Sequence, residues 1–353
     1  MKHLLKLVIL LLALACVLAG WLLFSPLPMQ RQQVLEVRSG AHFEQVMQSL
    51  ASTGALGEAR LAQSRLLLAS VYARLTRLGT HLQVGEYELA AHASLFVVLQ
   101  RLGDGEVLQR AFTLVDGWNF RQVREALAKA PALIHELDDL SDSQVAKRLG
   151  IAQGKVEGWL APDTYFYTLG SSDLDVLRRA HQQQRERLDA LWAERADKLP
   201  YTSPYQALIM ASLVEKETAV KAEMPQIAGV FVARLAKGMR LQTDPTVIYA
   251  MGEHYHGRIG YSDLRIDSSY NTYLHYGLPP GPIAMPSQLA LVAALHPAAT
   301  DALYFVARGD GTHVFSRTLQ AHNAAVREYQ LKRRDDYRST PAPTSDTTPE
   351  EAP

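Results

Sequence analysis

The first pattern along the chain is an absence of alternation: Leu7–Phe24 is apolar throughout, follows Lys2 and Lys6, and is closed by Ser25-Pro26-Leu27-Pro28. A helix of that length rises ~27 Å, about one bilayer core. Mixed periods then begin. Val34–Val37 reads as a short strand, and Phe43, Val46, Met47 and Leu50 fall at helical spacing. Ala59–Arg77 continues as an amphipathic helix, Gly85–Leu89 alternates like a strand, and Leu95, Val98, Leu99 and Leu102 form another helical face. The expected sum is a small strand–helix–helix–strand unit over residues 33–105, joined to the apolar segment by a short polar stalk, Met29–Gln33.

A larger mixed domain is expected over residues 106–330. Val107–Val115 reads as a strand, and Asn119 is placed to cap a helix carrying Phe120, Val123 and Leu127. Pro131–Lys155 reads as helical and polar, Glu157–Tyr167 as compact, aromatic and turn-rich, and Asp173–Lys198 as a long charged helix. Further on come a short helix at Ser287–Leu295, a strand at Ala302–Ala307, a hairpin turn at Gly309–Thr312 into Val314–Ser316, and a closing helix at Thr318–Leu331. Residues 331–353 lack apolar periodicity and are expected to be a disordered tail. The fold class is therefore α+β: a transmembrane helix within residues 1–28, the small subdomain, and the larger mixed α/β domain.

Between Pro204 and His296 the pattern concentrates chemistry. A nearly all-apolar helix, Ala207–Thr218, runs straight into Glu215, Lys216 and Glu217, carrying an ionisable pair towards a core. A polar-aromatic stretch, Leu241–Tyr249, follows, and then a turn-rich one, Tyr270–Ser287. A desolvated carboxyl facing Tyr, Asn, Gln and Thr suits a cleft for a polar, uncharged polymer such as a sugar chain. Glu215 and Glu217 are two apart, about 200° around a helix, so they face nearly opposite ways. Each continues an apolar line, Glu217 after Met210, Leu213 and Val214, and Glu215 after Leu208 and Ala211, so periodicity favours Glu217 only modestly.

Composition narrows the function. The 36 Lys+Arg balance 36 Asp+Glu, and no basic stripe or aromatic-basic interleaving suggests nucleic acid. Cys16 is the only cysteine and lies inside the apolar run, so the remaining chain has no disulfide. A cleaved signal peptide would want a shorter apolar region, with Ala13-Leu14-Ala15 as its cleavage site, and a lipoprotein signal would use Cys16. The run continues past both through Trp21 and Leu22, which favours an uncleaved anchor, its amino end cytoplasmic by the Lys2–Lys6 charge. For metal, His254 and His256 form an HxH near Asp244, but within a probable loop and without HExxH or a His-Cys cluster; no metal and no cofactor are expected. A serine nucleophile lacks its GxSxG elbow.

Several motifs carry a resemblance. EKETAV at 215–220, GMRLQTDPTVIYAMGE at 238–253, YNTYLHYGLPPGPIAMPS at 270–287 and HPA at 296–298 together resemble the endolytic murein transglycosylases, the YceG-like family. EGWLAPDTYFY at 157–167 and FVARG…HVFS at 305–316 fit the same family in the same order. The resemblance implies an inner-membrane anchor, a LysM-like subdomain at about residues 33–105, and cleavage of the MurNAc-β-1,4-GlcNAc bond within nascent peptidoglycan strands to leave 1,6-anhydro-MurNAc. It makes Glu217, the second Glu of EKET, the catalytic residue. Residue type and place inside the motifs nominate Gln242, Thr243, Asp244, Tyr249, Asn271 and Tyr273 for substrate binding. Implied partners are glycan strands, the inner membrane and peptidoglycan synthases. A hydrolytic muramidase using Asp244 as a second carboxylate, and a non-catalytic murein-binding scaffold, are the rival readings.

Overall fold

The computed structural model describes residues 1–80 and 82–331, so the tail expected over residues 331–353 lies outside the described residues from 332 onward. Two compact units emerge. The first comprises residues 1–111, 131–134 and 166–172, and the second comprises residues 112–130, 135–165 and the chain from 173 onward.

In the first unit, α1 (Lys2–Phe24) is the apolar helix read from the sequence, with His3–Phe24 long and apolar enough to cross a membrane. After it come β1 (Gln33–Val37), α2 (Phe43–Ser52), α3 (Ala59–Thr76), β2 (Gly85–Leu89) and α4 (Leu95–Asp104). The strands pair antiparallel, Gln33 opposite Leu89 and Val37 opposite Gly85. One pleat face buries Leu35, Val37, Tyr87 and Leu89 against the apolar stripes of α2 and α4, which is the arrangement that alternation plus helical spacing predicts.

The polar stalk is corrected. Leu27 and Met29 are fully buried in this core, Leu27 N–H donates to Ala93 O at 3.0 Å, and His92 N–H donates to Met29 O at 3.0 Å. Buried Arg65 on α3 donates to Leu56 O and to Ser25 Oγ, both at 2.9 Å, fastening the end of α1 to this unit. The two prolines end the helix, but Leu27 between them and Met29 just after them join the module instead of spacing it from the anchor.

The second unit is built around a buried helix. Its elements are β3 (Arg110–Leu114, of which Arg110 and Ala111 belong to the first unit), α5 (Phe120–Leu127), α6 (Asp142–Leu149), β4 (Asp163–Tyr167, of which Phe166 and Tyr167 belong to the first unit), α7 (Asp173–Ala193), α8 (Pro204–Glu217), α9 (Met224–Ala236), α10 (Asp244–Met251), α11 (Gln288–Leu295), β5 (Tyr304–Ala307), β6 (His313–Ser316) and α12 (Leu319–Val326). Asn119 caps α5 with a full capping box to Gln122. Ser203 caps α8 and Pro204 occupies its first turn, where a missing N–H costs nothing. Ala207–Val214 is buried on every side, packed on α7, α9, α10 and α11. Gly229 of α9 permits the closest approach: a Cβ there would lie 2.3 Å from Ala298 O.

Two expectations change here. Pro131–Lys155 is helical only at Asp142–Leu149. Within the stretch before it, the buried Asp173 carboxylate accepts Glu136 N–H and Leu137 N–H at 3.1 and 3.2 Å, holding the chain in turns. Conversely, Asp244–Met251, in the stretch from Leu241 read from sequence as polar-aromatic with no regular element, is a helix with Thr243 at its N-cap and Pro245 in its first turn. An Asp-Pro pair suits a tight turn and a helix start equally, and packing against α8 selects the helix.

Candidate active site

The last turn of α8 separates the two glutamates. Glu215 points to the start of α11, accepting Ser287 N–H at 2.9 Å and Ser287 Oγ–H at 2.5 Å. Burial raises its pKa and the Ser287 bonds oppose that rise. It is a half-buried fastener between two core helices. Glu217 faces the other way, into a cleft of about 530 Å³ entirely within the second unit.

The floor of that cleft is Glu217, Arg234 and Leu241. One wall presents Gln242, Asp244 and Tyr273; the other is the β5–β6 hairpin and α12, with Tyr304, Phe305, His313 and His322. Glu217 Oε2 accepts the Thr243 hydroxyl at 2.5 Å, the only protein hydrogen bond to this carboxyl among the described residues. Desolvation raises the Glu217 pKa; the Thr243 bond lowers it, the Asp244 charge raises it, and His313 and Arg234 lower it. Burial, the largest of these, leaves a carboxyl that holds its proton above the usual carboxylate range. Thr243 itself is anchored from behind. Its N–H donates to Thr272 Oγ1 at 3.1 Å, and Thr246 Oγ1 lies 2.9 Å from the same hydroxyl, all three threonines being buried.

Gln242 adopts φ +48°, a left-handed conformation that L side chains seldom take. It lies between Leu241, turned into the core, and Thr243, turned to Glu217, and its own side chain lines the cleft. Asp244 Oδ1 accepts the Tyr273 hydroxyl at 2.5 Å, tying the start of α10 to the Tyr270–Ser287 segment. Burial beside Asp244 pushes the Tyr273 hydroxyl far above its usual range, so it stays a proton donor.

Of the residues nominated from sequence, Glu217, Gln242, Asp244 and Tyr273 line one cleft, and Thr243 lies directly behind Glu217. Asn271 and Tyr249 are elsewhere. Asn271 is fully buried; its amide donates to Leu264 O and Ile266 O at 3.1 and 2.9 Å, and its Oδ1 accepts Tyr273 N–H at 2.9 Å. It shapes the turn that delivers Tyr273. Tyr249 points from the opposite side of α10, where its hydroxyl donates to Glu157 Oε2 at 3.2 Å beside a second depression of about 620 Å³. His254 and His256 are exposed, and no cluster among the described residues could hold a metal ion.

Four features were missed from sequence. Glu157, in the aromatic 157–167 motif, is buried with its pKa pushed up to about 7 by desolvation, opposed by Phe120 N–H and Tyr249. Arg234 is a lone cation on the otherwise apolar helix α9, the same kind of pattern that singles out Glu217 on α8. His313 Nδ1 contacts Glu223 Oε2 at 2.7 Å, while His313 N–H donates to Glu223 Oε1 at 3.0 Å, so Glu223 orients the ring against the cleft. Tyr304 and His322 stack at 5.2 Å on the same wall.

Comparison with known proteins identifies relatives of the chain. An endolytic murein transglycosylase of Bacillus subtilis is 37% identical over 265 residues, covering 70% of this chain and 73% of its own. One from Streptococcus pneumoniae is 30% identical over 217 residues, 59% of this chain and 37% of its own. The crystal structure of a YceG-like protein from Listeria monocytogenes superposes with a TM-score of 0.52 at 28% identity, covering 83% of this chain and 98% of that one. The profile of the YceG-like family matches residues 35–328, nearly the whole described chain beyond the apolar helix, and the chain belongs to that family.

Proposed function

We propose that this chain is an endolytic murein transglycosylase in which Glu217 is the single acid–base catalyst. The carrying observation is a carboxyl on a cleft floor, held by one hydroxyl and placed where burial favours its protonated form. Glu217 gives its proton to the oxygen of the MurNAc-β-1,4-GlcNAc bond as C1–O4 breaks. As carboxylate it then takes the proton of the muramoyl 6-hydroxyl, whose oxygen bonds to C1 and closes the 1,6-anhydro ring. No water enters the products, and Glu217 ends as it began. Gln242, Asp244 and Tyr273 supply hydrogen bonds along the polar wall, while Thr243 fixes the carboxyl.

The architecture fits this role. The β1–α2–α3–β2 unit within residues 33–105 is read as a LysM-like, glycan-binding module, and residues 106–330 as the catalytic domain. α1 is read as an inner-membrane anchor with its amino end cytoplasmic, which carries both units to the periplasmic side, next to nascent strands and the peptidoglycan synthases that make them.

One observation favours a second reading. Asp244 shares the cleft with Glu217, and a hydrolytic muramidase needs a second carboxylate to activate water or form a covalent intermediate. Asp244 is instead engaged by Tyr273. Mass spectrometry of products from purified uncrosslinked glycan strands decides between the readings. Anhydro-muramoyl ends are expected; reducing ends would mean hydrolysis, and intact strands a scaffold. Glu217→Gln is expected to keep the fold and lower the rate by ~10²–10⁴. Normal anhydro-product release by that variant would remove Glu217 from the role.

A further inference from the structure

Arg234 is a charged side chain placed where charge is costly. It lies on apolar helix α9, is 7% exposed, and lines the cleft beside Glu217. A guanidinium carries five N–H donors in a rigid plane. Nε–H donates to Leu303 O at 2.6 Å, and Nη1 donates to Leu241 O at 2.6 Å and Arg240 O at 3.5 Å. Those bonds fix the plane, and the Tyr304 ring, 5.3 Å from the guanidinium carbon, supports its face. The two donors on Nη2 have no protein acceptor among the described residues, and Arg234 forms no carboxylate ion pair among them. Its charge is felt by Glu217 and by the hydroxyls of Tyr304 and Tyr273, but none of these accepts a hydrogen bond from it. Asp244, on the cleft wall, accepts from Tyr273 instead. The cleft floor therefore presents a preoriented cation edge whose Nη2 donors have no protein acceptor among the described residues.

Resting on the transglycosylase reading above, we propose that the Nη2 edge of Arg234 is the substrate-recognition group for an acyl oxygen of the sugar chain. Murein sugars carry two acyl sources: the C2 acetamido group of both sugars, and the C3 lactyl group of the muramoyl sugar alone. A carbonyl or carboxylate oxygen accepts from a guanidinium more strongly than a hydroxyl does, and the planar fork matches it. C2 is bonded to C1, the atom at which the strand is cut, and C3 is one bond further. Holding either substituent fixes the cut bond relative to Glu217, so Arg234 sets the register of the strand in addition to its affinity.

The test is binding by full-length Glu217→Gln protein in detergent, with and without Arg234→Lys. The ligands are peptide-free murein strands, chitin oligomers of matched length, and the same oligomers after de-N-acetylation. Arg234→Lys keeps the charge but loses the fork, and is expected to weaken binding of murein strands by roughly 10- to 150-fold, the scale of a hydrogen bond to a charged group. An equal loss for chitin identifies the acetamido oxygen, and a loss confined to murein identifies the lactyl oxygen. In both cases the de-N-acetylated oligomers bind the two proteins alike. Unchanged binding of all three ligands by a folded Arg234→Lys protein would overturn the proposal. If that variant does not fold, a crystal structure of the Glu217→Gln protein with a bound glycan fragment decides. An acyl oxygen within hydrogen-bonding distance of Nη2 is expected, and acyl groups directed elsewhere would refute it. Anhydro-product release by the unsubstituted protein is read separately, so failure of the activity is distinguishable from failure of the Arg234 assignment.

Discussion

Replacing Thr243 with valine removes one hydroxyl and keeps the side-chain shape. That hydroxyl is the only protein donor to the Glu217 carboxyl among the described residues, at 2.5 Å in a buried setting. A hydrogen bond to a charged group contributes ~1.5–3 kcal/mol, and it favours the ionised form of Glu217. Only the difference from the ~0.5–1.5 kcal/mol bond that the neutral acid makes counts, so the loss should raise the Glu217 pKa further above its already elevated range. The proton-donating form then persists to higher pH. The alkaline limb of the kcat/KM profile should shift upward, by about one pH unit for a differential of ~1–1.5 kcal/mol, while the Thr243 main chain stays held by its N–H bond to Thr272 Oγ1. The assay is release of anhydro-ended fragments from purified strands between about pH 5 and 10. Melting curves of both proteins serve as the control. An unmoved alkaline limb in a variant that melts like the parent would refute the reasoning, because the titrating group would then not be the carboxyl that Thr243 touches.

Three further outcomes are expected. Glu157 has its pKa raised from 4.5 to about 7 on folding, so its stabilising contribution is complete below about pH 4.5 and is lost as pH rises through about 7, a change of roughly 3 kcal/mol. Glu157→Gln, which can still accept from Phe120 N–H and Tyr249, should flatten that pH dependence in denaturation curves; an unchanged slope would place the titration elsewhere. Asn271→Ala strips three hydrogen bonds from a fully buried turn and should cost about 3 kcal/mol of stability or more, read as a large fall in melting temperature; an unchanged melting temperature would contradict the structural role. Chelation with EDTA should leave activity intact, since the cleft's two carboxyls are bonded to the Thr243 and Tyr273 hydroxyls and no metal-ligand set assembles among the described residues; loss of activity restored by zinc would reverse this.

Local pattern determined much of this protein. The apolar run of α1, the antiparallel pair with its flanking helices, the Asn119 cap and the buried helix ending in Glu217 all follow from periodicity and capping chemistry, which act between residues a few positions apart. The long motifs around Glu217 were sufficient to indicate the family. What the sequence left open were choices between locally equivalent alternatives. Asp244-Pro245 suits a turn or a helix start, and its neighbours in space selected the helix. Leu27 and Met29 look like linker until a groove of matching apolar residues closes over them. Glu215 and Glu217 both extend apolar lines, and only the positions of Ser287 and Thr243, residues distant in sequence, make one a fastener and leave the other in the cleft. Asn271 and Tyr249 had the residue type of a sugar-binding wall, yet backbone carbonyls claim the first and Glu157 the second. The strand, hairpin turn and closing helix of the opposite wall were legible one by one, but not that Tyr304, His313 and His322 would face Arg234 and Glu217 across one cleft. That meeting joins α9, β5, β6 and α12 through helix packing and hairpin register, and no period in the chain encodes it.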